Sequence, residues 1–150
     1  MRIIDRIHQL LAQDEGIFFH LEGEGIKQPI VAPKSEVIAR ELARLRSAGP
    51  SFLALVAPNG NYLQAAGNAK RMTIEAHVIA PKRTAQVVLG RSGAPGTATM
   101  IDSSFGGVVV SASEVWSAFE ATEIFSAFLS TGSIPNALTQ RDITTEIALS

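Results

Sequence analysis

Three features of the sequence predict an α+β fold, with an antiparallel β meander of about four to six strands and helices packed on one face. An Asn59–Gly60 pair lies between two apolar runs, where its tolerance of positive φ favours a tight hairpin. Residues 72–80 alternate between apolar and mostly polar side chains, which is typical of a half-buried strand. Elsewhere apolar residues recur every three to four positions, as they do in amphipathic helices.

Length and composition predict one domain that spans residues 1–150. The chain is 46% hydrophobic and 18% charged, which excludes a disordered protein. It has no cysteine, so disulfides, thiolate catalysis and Cys-ligated zinc are excluded. No segment has a signal-peptide core or approaches the roughly 18 consecutive apolar residues of a membrane-spanning helix. We therefore expect a cytoplasmic protein with no membrane partner.

The first third predicts two helices and one short strand. An amphipathic helix is predicted at residues 2–13, and its apolar face comprises Ile3, Ile4, Ile7, Leu10 and Leu11. A short apolar strand follows at 17–21, with His20 half covered at a sheet edge. A second helix is predicted at 36–47, with Ser35 as its N-cap and Gly49–Pro50 as its end.

The middle third predicts four antiparallel strands, at residues 52–57, 61–66, 72–80 and 84–89. Turn-forming residues separate the first two strands and the last two. Residues 90–104 are small and glycine-rich, which predicts a long loop. A further short strand is predicted at 106–110.

The last third predicts the longest helix. Ser111 and Glu114 have the spacing of a capping box, and Gly132 is a suitable stop. Phe119 and Phe125 lie on the apolar stripe of this helix and are expected to be buried against the sheet. Trp116 lies beside the stripe, so we expect it to be partly exposed and to serve as a binding anchor. Alternating residues predict a final strand within 141–150.

No catalytic or metal-binding constellation is recognisable in the sequence. His8 has no second histidine at i+4, and the Gly-x-Ser-x-Gly and phosphate-loop motifs are missing. Glu75 and His77 share one strand face, where solvated side chains are the default and a metal or acid–base pair is the alternative. We therefore expect a binding protein with no enzymatic activity, catalytic residue, metal or cofactor.

Charge is unevenly distributed, although the net charge is only −1. Basic residues outnumber acidic ones five to one in residues 51–100, and acidic residues outnumber basic ones six to one in residues 101–150. The basic residues occur in pairs at predicted turns and lack interleaved aromatic residues. A nucleic-acid partner is therefore not expected.

Two short motifs, Tyr62-x-Gln64-x-x-Gly67 and Ile74-Glu75, occur together with segments 51–55, 115–128 and 141–143. These pieces are spread over residues 51–143, about two-thirds of the chain, and over this stretch the chain resembles small bacterial proteins of the Imm type, the predicted immunity proteins of polymorphic toxin systems. The resemblance implies a cytoplasmic protein that binds and neutralises a cognate protein toxin by occluding its active site.

The resemblance and the sequence pattern together suggest a partner-binding set comprising Trp116, Glu120, Glu123, Tyr62 and Gln64. Against a basic, nucleic-acid-handling toxin, further acidic candidates are Asp14, Glu15, Glu22, Glu24 and Glu114. The alternative is a small-molecule or peptide-binding module, with a pocket between the sheet and the C-terminal helix lined by Tyr62, Gln64 and His77. A homo-oligomer remains open in either case, because charge is low and apolar content is high.

Overall fold

The computed structural model of the chain describes residues 18–148, and the helix predicted at 2–13 lies outside them. Nine strands and three α-helices are described, in the following order. They are β1 (His20–Gly23), β2 (Ile30–Val31), α1 (Ser35–Ala43), β3 (Phe52–Val56), β4 (Tyr62–Gly67), β5 (Met72–Ile79), β6 (Thr84–Gly90), β7 (Ala98–Ser103), β8 (Gly106–Ser111), α2 (Ala118–Thr131), β9 (Thr139–Asp142) and α3 (Thr144–Ala148). A 3-10 turn at Ala112–Glu114 precedes α2. The fold is α+β, as predicted.

Seven strands form one antiparallel sheet in the order β2-β1-β3-β4-β5-β6-β9, and β7 and β8 form a separate hairpin. The predicted meander is strands β3 to β6. Its first hairpin turns at Gly60, whose φ is 92°, and the Asn59 side chain accepts a hydrogen bond from the Asn61 amide at 3.0 Å. The Asn–Gly turn is therefore confirmed.

The two faces of the large sheet differ in chemistry because side chains alternate along every strand. One row across the sheet comprises Leu21, Leu55, Leu63, Ala76 and Val87. These residues belong to the main hydrophobic core, together with Ile38 and Leu42 of α1 and Phe125 and Phe128 of α2. Both longer helices therefore pack on the same face of the sheet, as predicted.

Helix α1 ends at Ala43, earlier than the predicted residue 47. The amides of Arg44 and Leu45 bond to carbonyls three residues back, and the Arg46 amide donates to Pro50 O at 2.8 Å. These bonds tighten the last turn and draw the chain away from the helix axis. Its N-cap is Lys34 and not Ser35, which is the first helical residue.

Helix α2 begins at Ala118 and not after Ser111. The predicted capping box exists, since the Glu114 carboxylate accepts the Ser111 amide at 2.8 Å, but it caps only the 3-10 turn. The chain then extends, and Trp116 exchanges both backbone hydrogen bonds with Met72 at 2.9 Å. A second capping box, Ser117 with Glu120, starts the helix, and Gly132 ends it with φ 72°.

Replacing Ser117 with alanine is expected to lower the free energy of unfolding by about 1 kcal/mol, because the Glu120 amide then loses its cap. Thermal or denaturant unfolding measures this change. Ser111→Ala serves as the comparison, since Ser111 caps only a 3-10 turn of three residues, and we expect a smaller effect. Equal losses for the two variants would contradict the assignment of Ser117 as the start of α2.

Two further predictions of secondary structure are wrong. Strand β7 lies inside the segment predicted as a long loop, where Ile101 is buried against Val110 of β8 and Val88 of β6. The predicted final strand is limited to β9, and α3 follows it. Asp142 Oδ1 accepts hydrogen bonds from the Thr144 amide and hydroxyl at 2.9 and 2.6 Å, which turns the chain out of the strand.

Candidate functional site

A groove runs beside the first half of α2 and has a volume of about 250 Å³. We call it the α2 groove, and it is lined by Trp116, Glu120, Glu123, Ile124, Pro135 and Leu138. Its walls are the helix on one side and the segment after Gly132 on the other. Three of the five predicted partner-binding residues, Trp116, Glu120 and Glu123, are therefore brought together here.

Trp116 forms the buried wall of the α2 groove and is not the exposed anchor that was predicted. Only 5% of its surface is accessible, and its indole N–H donates to Leu89 O at 3.0 Å. The prediction was wrong because it placed Trp116 on a helix. In the structure the residue lies in an extended segment that is bonded to Met72, so its ring turns toward the sheet.

Arg91 supports the α2 groove, and sequence reasoning missed it. Its guanidinium lies 4.1 Å from the centre of the Trp116 ring, donates to Val115 O at 2.7 Å and forms an ion pair with Glu120. This contact, with the Ser117 amide second, holds the pKa of Glu120 below its ordinary value. Arg91 lies in the segment that was predicted as a long loop, and its partners are distant in sequence, so no local pattern indicated this role.

Phe119 is the most exposed of the described large apolar side chains, with 78% of its surface accessible, and the prediction that it is buried was wrong. The buried residues of α2 are Ala121, Ile124, Phe125 and Phe128. This stripe excludes Phe119 because residue 119 lies about 200° around the helix from residue 121. Phe125 is fully buried, as predicted.

Glu123 follows Phe119 at i+4, so both side chains project from the same face of α2. Glu123 is exposed, and it has no ion pair with any residue between 18 and 148. Glu123 lines the α2 groove, and Phe119 lies one helical turn before it, outside the lining, so an exposed aromatic side chain and a carboxylate lie next to each other at the rim of the groove. The helix beneath them is held in place by its capping box and by Arg91.

The other acidic candidates have structural contacts. Glu114 is buried and accepts two hydrogen bonds from Arg141, at 2.8 and 3.1 Å. Glu24 accepts hydrogen bonds from Ser51 and Ser104. Glu22 is 3% exposed and lies 2.9 Å from His20 Nε2. Asp14 and Glu15 lie outside the described residues.

Tyr62 and Gln64 lie on the sheet face opposite α1 and α2, so they do not join the α2 groove. Both are buried, with 0% and 5% of their surfaces accessible. Burial raises the pKa of Tyr62 well above its ordinary value, although a hydrogen bond to Gln86 opposes the shift. These two residues are not positioned to contact a protein partner directly.

Glu75 and His77 lie on the same face, where they are half-buried and belong to a hydrogen-bonded network, whereas solvated side chains were expected. Gln86 connects them, because its Nε2 donates to Glu75 Oε1 at 3.0 Å and its Oε1 lies 2.9 Å from His77 Nδ1. The His77 ring stacks on Tyr62 with centres 4.7 Å apart. His20 is also more buried than expected, because β1 lies between β2 and β3 and is not an edge strand.

A second cleft, of about 190 Å³, lies between the sheet and the end of α2. Its lining includes Asn61, Ala76, Phe128, Ile134 and Gln140. The alternative hypothesis expected Tyr62, Gln64 and His77 here, which is wrong because these side chains point to the opposite face of the sheet.

Within residues 18–148, no group of three or more acidic or histidine side chains is arranged to hold a metal ion. None of the described helices has the length and apolar character needed to cross a membrane. A scan of protein-family models finds no match to the sequence, and a search of curated proteins finds no significant similarity.

Proposed function

We propose that the protein is an immunity-type inhibitor that binds a cognate bacterial toxin and blocks it by occlusion, without chemistry of its own. The observation that carries the proposal is the exposure of Phe119 beside Glu123 at the rim of the α2 groove. A large aromatic side chain left in water is costly unless a partner buries it, and aromatic anchors dominate the energetics of many protein interfaces.

The chemistry of this surface favours a basic protein partner. Glu123 offers a carboxylate that no described side chain neutralises, while Glu120 is already paired with Arg91. Residues 101–150, which contain α2, carry the excess of acidic side chains. A toxin that handles nucleic acid has a basic active-site region, so an acidic inhibitor would both attract it and cover its substrate groove.

The rigidity of α2 supports a role in occlusion. Its start is fixed by the Ser117–Glu120 capping box, and its buried side packs against α1 and the sheet through Phe125 and Phe128. A preorganised surface loses less conformational entropy on binding than a flexible one. An interface of ordinary size, about 800 Å² on each partner, needs more than the groove itself and would include neighbouring residues.

Co-expression with the product of the adjacent gene tests the proposal. Cells that produce the toxin are expected to survive only when this protein is present, and the two purified proteins are expected to elute together. Survival of cells without the protein, or two proteins that elute separately at micromolar concentration, would rule out the immunity function.

The cleft near Phe128 supports a second candidate, a module that binds a small molecule or peptide. It lies between the sheet and the C-terminal part of α2, where the sequence hypothesis expected a pocket. Its volume of about 190 Å³ is smaller than the roughly 300 Å³ typical of ligand pockets. This candidate becomes the leading one if no toxin is bound.

A further inference from the structure

Strand β8 has no neighbour on its outer side among the described residues. It pairs only with β7, and the two strands form a sheet of their own. The stretch from Gly106 to Val109 is exposed throughout. An outer strand presents unpaired N–H and C=O groups, which can form hydrogen bonds with a strand of another chain.

The hydrogen bonds of the hairpin show which backbone groups of β8 are unpaired. The Ala112 amide donates to Thr97 O at 2.9 Å. Because hydrogen-bonded positions alternate along an antiparallel strand, Val110 and Val108 also turn their backbone groups toward β7. The alternate residues Gly107, Val109 and Ser111 turn their backbone groups outward. Of these, Ser111 donates its amide to Glu114, which leaves Gly107 and Val109 without a backbone partner within residues 18–148.

The other described outer strands are shielded in ways that β8 is not. Strand β2 has only two residues, and β9 carries the charged pair Arg141 and Asp142. Arg71 covers the outer side of β7, because its guanidinium donates to Thr99 Oγ1 at 2.8 Å and to Met100 O at 3.4 Å. Strand β8 contains only glycine, valine and serine, so it lacks the charges that normally prevent strand pairing.

We propose that two copies of this chain form a dimer through β8, with the two β8 strands antiparallel and the two hairpins joined in one four-stranded sheet. The spacing of the unpaired residues makes β8 complementary to itself. A two-fold axis at Val108 places Gly107 opposite Val109 of the second copy. Each of the two Gly107–Val109 pairs then exchanges both backbone hydrogen bonds, which satisfies every unpaired group of the two residues.

The side chains of the hairpin also fit a second copy. Val109 and its cross-strand neighbour Met100 are 59% and 55% exposed, and Val108 is 40% exposed. The two Val108 side chains face each other across the axis at a separation of about 5 Å, which is typical of directly opposed residues. No charged side chain lies in β8, so dimerisation removes no charge of this strand from water. This contact does not depend on the binding of a toxin.

Sedimentation velocity on the full chain, over a series of concentrations, tests the dimer. The wild-type chain is expected to show a monomer–dimer equilibrium. Val109→Pro removes the outward N–H of each copy, a group that the hairpin itself does not use, and proline is tolerated at such edge positions. We expect it to raise the dissociation constant at least about tenfold, because half of the backbone hydrogen bonds between the copies are lost.

Val109→Thr is the matched control, since it keeps the amide and a β-branched side chain, and we expect a change of less than about threefold. A chain that is monomeric at every concentration, or a dimer that Val109→Pro does not weaken, overturns the proposal. If Val109→Pro lowers the folded fraction, amide hydrogen exchange of the wild-type chain decides. Protection of the Val109 amide that rises with protein concentration supports the dimer, and exchange independent of concentration overturns it.

Discussion

Phe125→Ala is expected to lower the free energy of unfolding by about 3–5 kcal/mol, whereas Phe119→Ala is expected to change it by less than about 0.5 kcal/mol. Phe125 is fully buried in the core between α2 and the sheet, so its removal leaves a cavity. Phe119 lies six residues earlier on the same helix with 78% of its surface in solvent, so its removal leaves no cavity.

Denaturant unfolding followed by tryptophan fluorescence measures both variants. Trp116 is the only tryptophan of the chain and is 5% exposed, so its emission reports on the folded core. The two variants remove the same side chain from one helix, which makes each the control for the other. A large loss for Phe119→Ala with little loss for Phe125→Ala would mean that α2 presents the opposite face to the sheet.

The second large effect is expected on binding to the toxin. Phe119→Ala should weaken the complex at least about 30-fold, which corresponds to the loss of about 2 kcal/mol typical of an aromatic hot spot. The free energy of unfolding of Phe119→Ala should remain that of the wild type, because the Phe119 side chain is exposed and its removal leaves no cavity. The dissociation constant is measured by calorimetry or surface plasmon resonance with the purified toxin.

Ile79→Ala is the matched control for this experiment, because Ile79 is also apolar and 48% exposed but lies at the end of β5. It should leave the affinity unchanged. Glu123→Lys should mainly slow association and reduce its dependence on salt, as charges at an interface rim do. Glu120 is unsuitable for such a reversal, because it also caps α2 and pairs with Arg91. Wild-type affinity in Phe119→Ala would exclude the rim of the α2 groove as the toxin-binding surface.

Local sequence patterns predicted the elements whose contacts are local or periodic. The Asn59–Gly60 turn is set by backbone preferences of two adjacent residues. The alternation along β5 correctly predicted that Ile74 and Ala76 face the core. It did not predict that the opposite face is also largely buried, since Thr73 is 2% exposed and Gln86 connects Glu75 to His77. Cross-strand partners of this kind are not encoded in the pattern of one strand.

The predicted start of α2 was the main error, and it caused the errors in the predicted exposure of Trp116 and Phe119. Two capping boxes, at Ser111 and Ser117, compete for the same role in the sequence. The choice between them depends on Met72, which lies 44 positions before Trp116 and bonds to its backbone. That contact places Trp116 inside and Phe119 outside, so the predicted anchor and the predicted core residue exchange roles.

The sequence by itself determined the α+β class, the antiparallel meander and the end of α2 at Gly132, because turns, strand alternation and helix stops depend on neighbours within a few positions. Only the tertiary structure decided which side chains form the α2 groove. Arg91, Trp116 and Glu120 come from the loop after β6, an extended segment and a helix, and their contacts exist only after the sheet and α2 have packed. A side chain's exposure depends on which elements cover it, and that covering is a property of the whole fold.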